Sequence, residues 1–154
     1  MSQSQKLPFH VATVDFNAAL EPIKTVRHAV FVVEQKVDES LEWDGSDVGC
    51  THVLAISADG HPNATGRISN EGIIGRMAVL KAWRGQSVGR AVLAKLIEIA
   101  SEKKMTRLKL SSQLHAIPFY QKQGFRQHGD IYLDANIQHQ TMTLHLNNEK
   151  PTGS

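Results

Sequence analysis

Between Ile73 and Ser111 the apolar pattern switches from a strand period to a helical period and back, and that switch leaves few topologies open. Ile73 to Leu80 (IIGRMAVL) reads as a short strand, followed by a basic turn at Arg84-Gly85. From about Val88 to Lys104 the chain reads as one amphipathic helix. Val92, Leu93, Leu96, Ile97, Ile99 and Ala100 form its apolar side, and Lys95, Glu98, Glu102 and Lys103 its wet side. Arg107 to Ser111 (RLKLS) is the next strand. Two strands joined by a crossover helix pair in parallel. Upstream, Thr51 to Ser57 and Ala64 to Ser69 are strand candidates, joined to each other and to Ile73 by turns at Asp59-Gly60 and Asn70 to Gly72, which makes an antiparallel meander. The expected class is α/β (α+β): a mixed central sheet with an N-terminal antiparallel meander, a parallel middle pair and flanking helices.

The flanks fit the same plan. Phe9 to Val14 alternates as a first strand, and a helix begins between Asn17 and Pro22 with Leu20, Ile23, Val26, Val30 and Phe31 on its buried face. Glu34 to Gly49 is polar and acidic and reads as a long loop with a short helix. A short helix from Ala116 to Gln123 ends at Gly124, and Phe125 to Tyr132 and Thr141 to Leu146 supply the last strands. At roughly 100–200 residues per domain, 154 residues make a single domain, placed at 1–146 with a flexible polar tail at 147–154. The first residues carry no leader-like apolar stretch and the longest apolar run is Ala29 to Val33, so a soluble, cytoplasmic protein with no membrane partner is expected. A net charge of +2 and few aromatics, without interleaving of basic and aromatic residues, argue against a nucleic-acid partner.

The turn that enters the long helix also carries the strongest chemical signal. In Met77 to Ala91 (MAVLKAWRGQSVGRA) a strand passes through a basic, glycine-containing turn straight into a helix. The first N–H groups of a helix lack partners and sit at the positive end of its dipole, so an anion fits there. Gly85 and Gly89 allow close backbone approach, and Arg84 and Arg90 add charge, which points to phosphate or pyrophosphate. Only three residues separate the two glycines and no Lys-Ser/Thr follows, so this is not a P-loop, and there is no G-x-G-x-x-G. A bare glycine pair would fit an ordinary capped helix better.

The wider pattern changes that balance. Gln86-Ser87-Val88-Gly89-Arg90-Ala91 resembles the Q/R-x-x-G-x-G/A signature of the GCN5-related N-acetyltransferases (GNAT), which follows a strand, opens a helix and binds the pyrophosphate of acetyl-CoA. Pro118 to Phe125 (PFYQKQGF) resembles the family's F-Y-x-x-x-G-F segment after the next strand, and the order of elements agrees from about Phe9 to Leu146. The resemblance implies the acyl-CoA N-acyltransferase fold and acetyl-CoA (coenzyme A) as donor. Met77, Ala78 and Val79 would pair with the pantetheine arm, and Arg84, Gly85, Gln86, Ser87, Val88, Gly89, Arg90 and Ala91 would hold the pyrophosphate. Where the family places a pantetheine-contacting asparagine, seven residues before Tyr120, this chain has the longer amide Gln113.

For catalysis the resemblance implies Tyr120 as general acid, beside the CoA sulfur. Aminolysis of a thioester expels a thiolate, and a phenol with an ordinary pKa of about 10 is protonated near neutrality and can supply the proton. The alternative is a helix tyrosine packed on the sheet. Several groups could be the base. Glu34, where the first helix meets the acidic stretch, is the first choice, against a solvated helix-end glutamate. His52, opening a strand, and His139, in NIQHQTM before the last strand, come next. Arg27, Val30-Phe31, Glu34-Gln35, Glu42 and Asp44-Gly45 resemble a bacterial subgroup, the ElaA/YjcF-like acyltransferases, which also tends to carry a histidine in the late segment.

Other clusters point elsewhere or nowhere. Eight histidines without an i, i+4 pair, and one cysteine, give no metal site. The acidic run from Asp38 to Asp47 lacks the order of a calcium loop; it is expected to be solvated, or to offer carboxylates to a cationic substrate. Cys50 reads as a small buried residue at a strand entrance; a ping-pong nucleophile would need an adjacent base, and none is evident. The expected activity is transfer of an acetyl group from acetyl-CoA to a primary amine by direct attack in a ternary complex. A small-molecule acceptor is favoured over a protein. A CoA-binding sensor without turnover would share the same loop, and a homodimer stays open.

Overall fold

The computed structural model describes residues 8–146, and the polar tail at 147–154 lies outside the described residues. Seven strands form one sheet in the order β1-β2-β3-β4-β5-β7-β6. They are β1 (Phe9–Val14), β2 (Thr51–Ser57), β3 (Pro62–Ile68), β4 (Ile73–Val79), β5 (Arg107–Gln113), β6 (Arg126–Asp134) and β7 (Ile137–His145). The β4–β5 pair is parallel and every other neighbouring pair antiparallel, as the crossover helix required. That crossover is α3 (Val88–Glu102); the others are α1 (Leu20–Arg27), α2 (Glu39–Glu42) and α4 (Ile117–Gln121). Without a break α1 continues as a π-helical segment, His28–Glu34, whose last turn closes with Gln35 N–H donating to Val30 C=O at 3.0 Å.

Helices cover both faces. Val92, Leu93 and Leu96 of α3 are fully buried against Val53, Ile68, Ile74, Leu108 and Met142, each burial contributing about 1.5–3 kcal/mol. On the opposite face Val26 and Val30 pack on Ala78, with Phe31 and Leu80 beside them.

One irregularity positions the site. β4 and β5 pair only at Ile73↔Lys109 and Ile74↔Leu110. Just beyond, Thr65 faces Ala78 while Arg67 faces Gly75, so β4 uses one residue more than β3, and Arg76 takes a left-handed φ of 52°. A bulged strand bends. The last residues of β4 therefore part from β5, leaving a wedge at the carboxyl ends of a parallel pair, where open α/β sheets bind ligands.

Two expectations are corrected. The last strand starts at Ile137, not near Thr141, because Ala135 and Asn136 both take positive φ and turn the chain in two residues; His139 thus lies within β7. The acidic stretch is solvated only in part: Asp38, Glu39 and Asp44 are exposed, while Glu42 and Asp47 are buried. Arg27 is 1% exposed, donating from Nε to Glu42 at 2.5 Å and from Nη1 to Asp47 at 2.7 Å, with its guanidinium over the Trp43 ring. Arg67 donates to the same Asp47 at 2.6 Å, and Arg76 reaches Glu42 at 3.3 Å and Asp44 at 3.2 Å. Buried charges persist only when paired, and this set pairs three guanidiniums with three carboxylates.

Candidate active site

The wedge holds two cavities that meet at Tyr120. The larger, about 990 Å³, is lined by Met77, Ala78 and Val79 at the end of β4, by Arg84 and Gly85, and by Ser87 to Arg90 at the start of α3. The turn is wound for an anion. Gly85 has φ +79° and Ser87 φ +67°, and the Ser87 side chain caps none of the helix N–H groups. Gly89 serves packing instead: a Cβ there would sit 3.3 Å from Val79 Cγ2 and 3.7 Å from Phe119. Arg84 is fixed in place. Its Nη1 and Nη2 donate to the two carboxylate oxygens of Glu34 at 2.6 and 2.7 Å, and its Nε donates to the Val79 carbonyl at 3.0 Å.

The smaller cavity, about 330 Å³, lies on the other side of Tyr120 and reaches His139, Ser111, Ser112, Arg76, Leu41 and Ile73. Gln35, Met77, Gln113, His115 and Tyr120 line both cavities. Within this partition Gln113 Nε2 donates to Gln35 Oε1 at 2.8 Å, joining the end of β5 to the end of the π segment. Tyr120 is 8% exposed, set edge-on against Phe119 and Phe125. Burial pushes its phenol up to about 12, so it stays protonated across the neutral range. His139 is largely buried, with Nδ1 2.7 Å from the Ile137 carbonyl and its ring stacked on Tyr132, whose hydroxyl bonds Ser111. Since that carbonyl can only accept, Nδ1 carries a proton, and in the neutral ring the lone pair lies on Nε2.

Of the remaining sequence candidates Glu34 lines the larger cavity, while Gln86, Ala91, His52 and Cys50 line neither. Gln86 braces the turn by donating to the Ala82 carbonyl at 3.2 Å, and Ala91 continues the helix from Ser87; neither lines the cavity. His52 is buried beneath the acidic stretch, with Nε2 2.8 Å from the Asp47 carbonyl and its ring on Phe16. Cys50 is partly buried, lines neither cavity and donates weakly to the Ser46 carbonyl, and burial pushes its thiol up. The guanidinium of Arg84 holds the Glu34 carboxyl below the usual range. Sequence reasoning missed His115 and the role of Gln35. His115 stands two residues beyond Gln113 and five before Tyr120, a position that could have flagged it. Among the described residues no three His, Cys, Asp or Glu side chains converge as metal ligands, and no helix is long and apolar enough to cross a membrane.

The chain as a whole is similar to known proteins. The family model described as an acetyltransferase (GNAT) domain matches residues 18–146. The chain is 30% identical over 143 residues to YyaT of Bacillus subtilis, covering 89% of this chain and 96% of YyaT. It is 32% identical over 122 residues to the ElaA protein of Escherichia coli, 74% of this chain and 79% of ElaA. The crystal structure of ElaA superposes with a TM-score of 0.80 at 26% identity, covering 90% of this chain and 100% of that one. An acyl-CoA N-acyltransferase from Pseudomonas aeruginosa, 28% identical, covers 90% and 99% with a TM-score of 0.75. The split parallel pair with a glycine turn at its mouth sits in an acyl-CoA N-acyltransferase fold. The chain belongs to the GNAT acetyltransferase family, within its ElaA-like subgroup.

Proposed function

We propose that the protein transfers an acetyl group from acetyl-CoA to the primary amine of a small molecule, with donor and acceptor bound at once on opposite sides of Tyr120. The observation that carries this reading is the meeting of two cavities of different character at one buried, protonated phenol. The donor cavity fits a nucleotide-linked thioester: at about 990 Å³ it is the larger of the two, and it reaches the glycine turn at the start of α3. Backbone N–H groups around Met77 to Val79, freed from β5 by the bulge, would polarise the thioester carbonyl. The amine nitrogen bonds to the acyl carbon, the carbon–sulfur bond breaks, and Tyr120 protonates the departing thiolate. The amine's proton goes to His139, whose Nε2 lone pair is set by its partner on Nδ1.

Glu34 was the first choice for that role from sequence. With both oxygens held by Arg84 it is a poor proton acceptor, and we assign it to fixing the guanidinium beside the anion turn. A cytoplasmic location, where acetyl-CoA is available, follows from this reading. Tyr120→Phe tests it: thiol release from acetyl-CoA with an amine panel should drop about 10²–10⁴-fold, while the Kd for CoA changes little. Equal losses in both would remove the acid role, and no thiol release from the unaltered protein with any amine would favour a CoA sensor.

A further inference from the structure

We propose that the acceptor is a compact primary amine attached to an apolar body, an aryl-alkyl or branched alkyl amine, and not a polyamine. The inference rests on the acyl-transfer reading and deepens it. The smaller cavity is divided along the β4–β5 split. On the β5–β7 side Ser111, Ser112 and His139 contribute polar side chains to the lining. On the other side Phe31, Val37, Leu41 and Ile73 supply an apolar rim beside Gln35 and the paired charges of Glu42 and Arg76. Leu41 is 55% and Ile73 46% exposed. A lone exposed leucine means little, but two large apolar side chains at the rim of a concave polar site form the surface that a ligand's apolar part would cover.

Charge points the same way. The sequence suggested that the acidic stretch would draw a cationic substrate, yet Glu42, Asp44 and Asp47 are neutralised by Arg27, Arg67 and Arg76. Of the lining carboxylates only Asp134, on the exposed β6–β7 turn, lies outside that set, and an exposed charge is strongly screened. A polyamine would thus find one weak anchor. The volume, about 330 Å³, lies at the small end for ligand sites, which suits a single ring or short branched chain.

The experiment uses the full chain saturated with CoA and compares phenethylamine, ethanolamine and spermidine by calorimetry, with thiol release from acetyl-CoA measured in parallel. Phenethylamine should bind about tenfold or more tighter than either of the others, the scale expected for covering one ring. Leu41→Asn and Ile73→Thr, both at exposed positions, should each weaken it several-fold while leaving the Kd for CoA unchanged. Tighter binding of spermidine, a larger loss from Asp134→Asn than from Leu41→Asn, or no binding of any of the three would overturn the proposal. Selective binding of phenethylamine without thiol release would instead overturn the acyl-transfer reading and leave the apolar recognition standing.

Discussion

The two sides of the wedge, proposed for donor and acceptor, share Tyr120 and four residues around it, and beyond these they are built differently. The larger cavity takes much of its lining from one stretch, Met77 to Arg90, with a bulged strand end, two left-handed turn residues and a helix start, and Val30, Glu34, Gln113 and Phe119 help complete it. The acceptor side is assembled from the π segment, α2, β4, β5, the β6–β7 hairpin and β7, and works through side chains. A recognition surface made of backbone must be encoded in a short stretch, because its shape is the conformation of that stretch. A surface made of side chains can draw on any element that the fold delivers to the place.

That contrast can be broken by mutation, most heavily beneath the acceptor side. Arg27→Leu leaves Glu42 and Asp47 buried with less compensation and should cost about 3–5 kcal/mol in denaturant unfolding. A cost below about 1 kcal/mol would show the network to be dispensable. Next comes His139→Ala, which should lower turnover about 10²-fold with the Kd for CoA unchanged, confining the loss to one side. Glu34→Gln should act on the other side: the affinity for CoA falls about three- to tenfold as Arg84 loses its fixed position, with little effect on kcat. A collapse of kcat instead would return Glu34 to the role of base. The smallest effect is that of pH on His52. Burial pushes its imidazole below the ordinary value, so the fold holds it neutral while the unfolded chain takes up a proton below about pH 6.5. The stability that this provides is present above that pH and lost as pH falls towards the folded value. Melting temperature should decline from about pH 7 to pH 5, and His52→Gln should flatten the decline.

Legibility in the sequence followed the same division. The crossover from Ile73 to Ser111, the glycine turn and the tyrosine segment are local patterns, and each lies where its period placed it. The β4 bulge was not legible, since Arg76 has no signature of a left-handed residue. Nor was the fate of the acidic stretch. Its carboxylates are spaced like those of a solvated loop, and only the tertiary approach of Arg27, Arg67 and Arg76 shows Glu42 and Asp47 to be internal. His139 was placed before its strand because Ala135-Asn136 is not a usual two-residue turn; the chain adopts one because β6 and β7 pair on either side of it.

The π segment has a consequence for the length of the chain. On a regular α-helix, residues seven apart return to one side, so Arg27 and Glu34 would face the same partners. Here Arg27 turns to Glu42 and Asp47, while Glu34 and Gln35 turn to Arg84 and Gln113 across the wedge. The widened winding of His28–Glu34 supplies that change of phase. Removing one residue there would restore ordinary winding and swing Glu34 and Gln35 away from both cavities while leaving every side chain that the site needs in the sequence. The number of residues between Arg27 and Gln35 is thus as much a specification of the site as their identities.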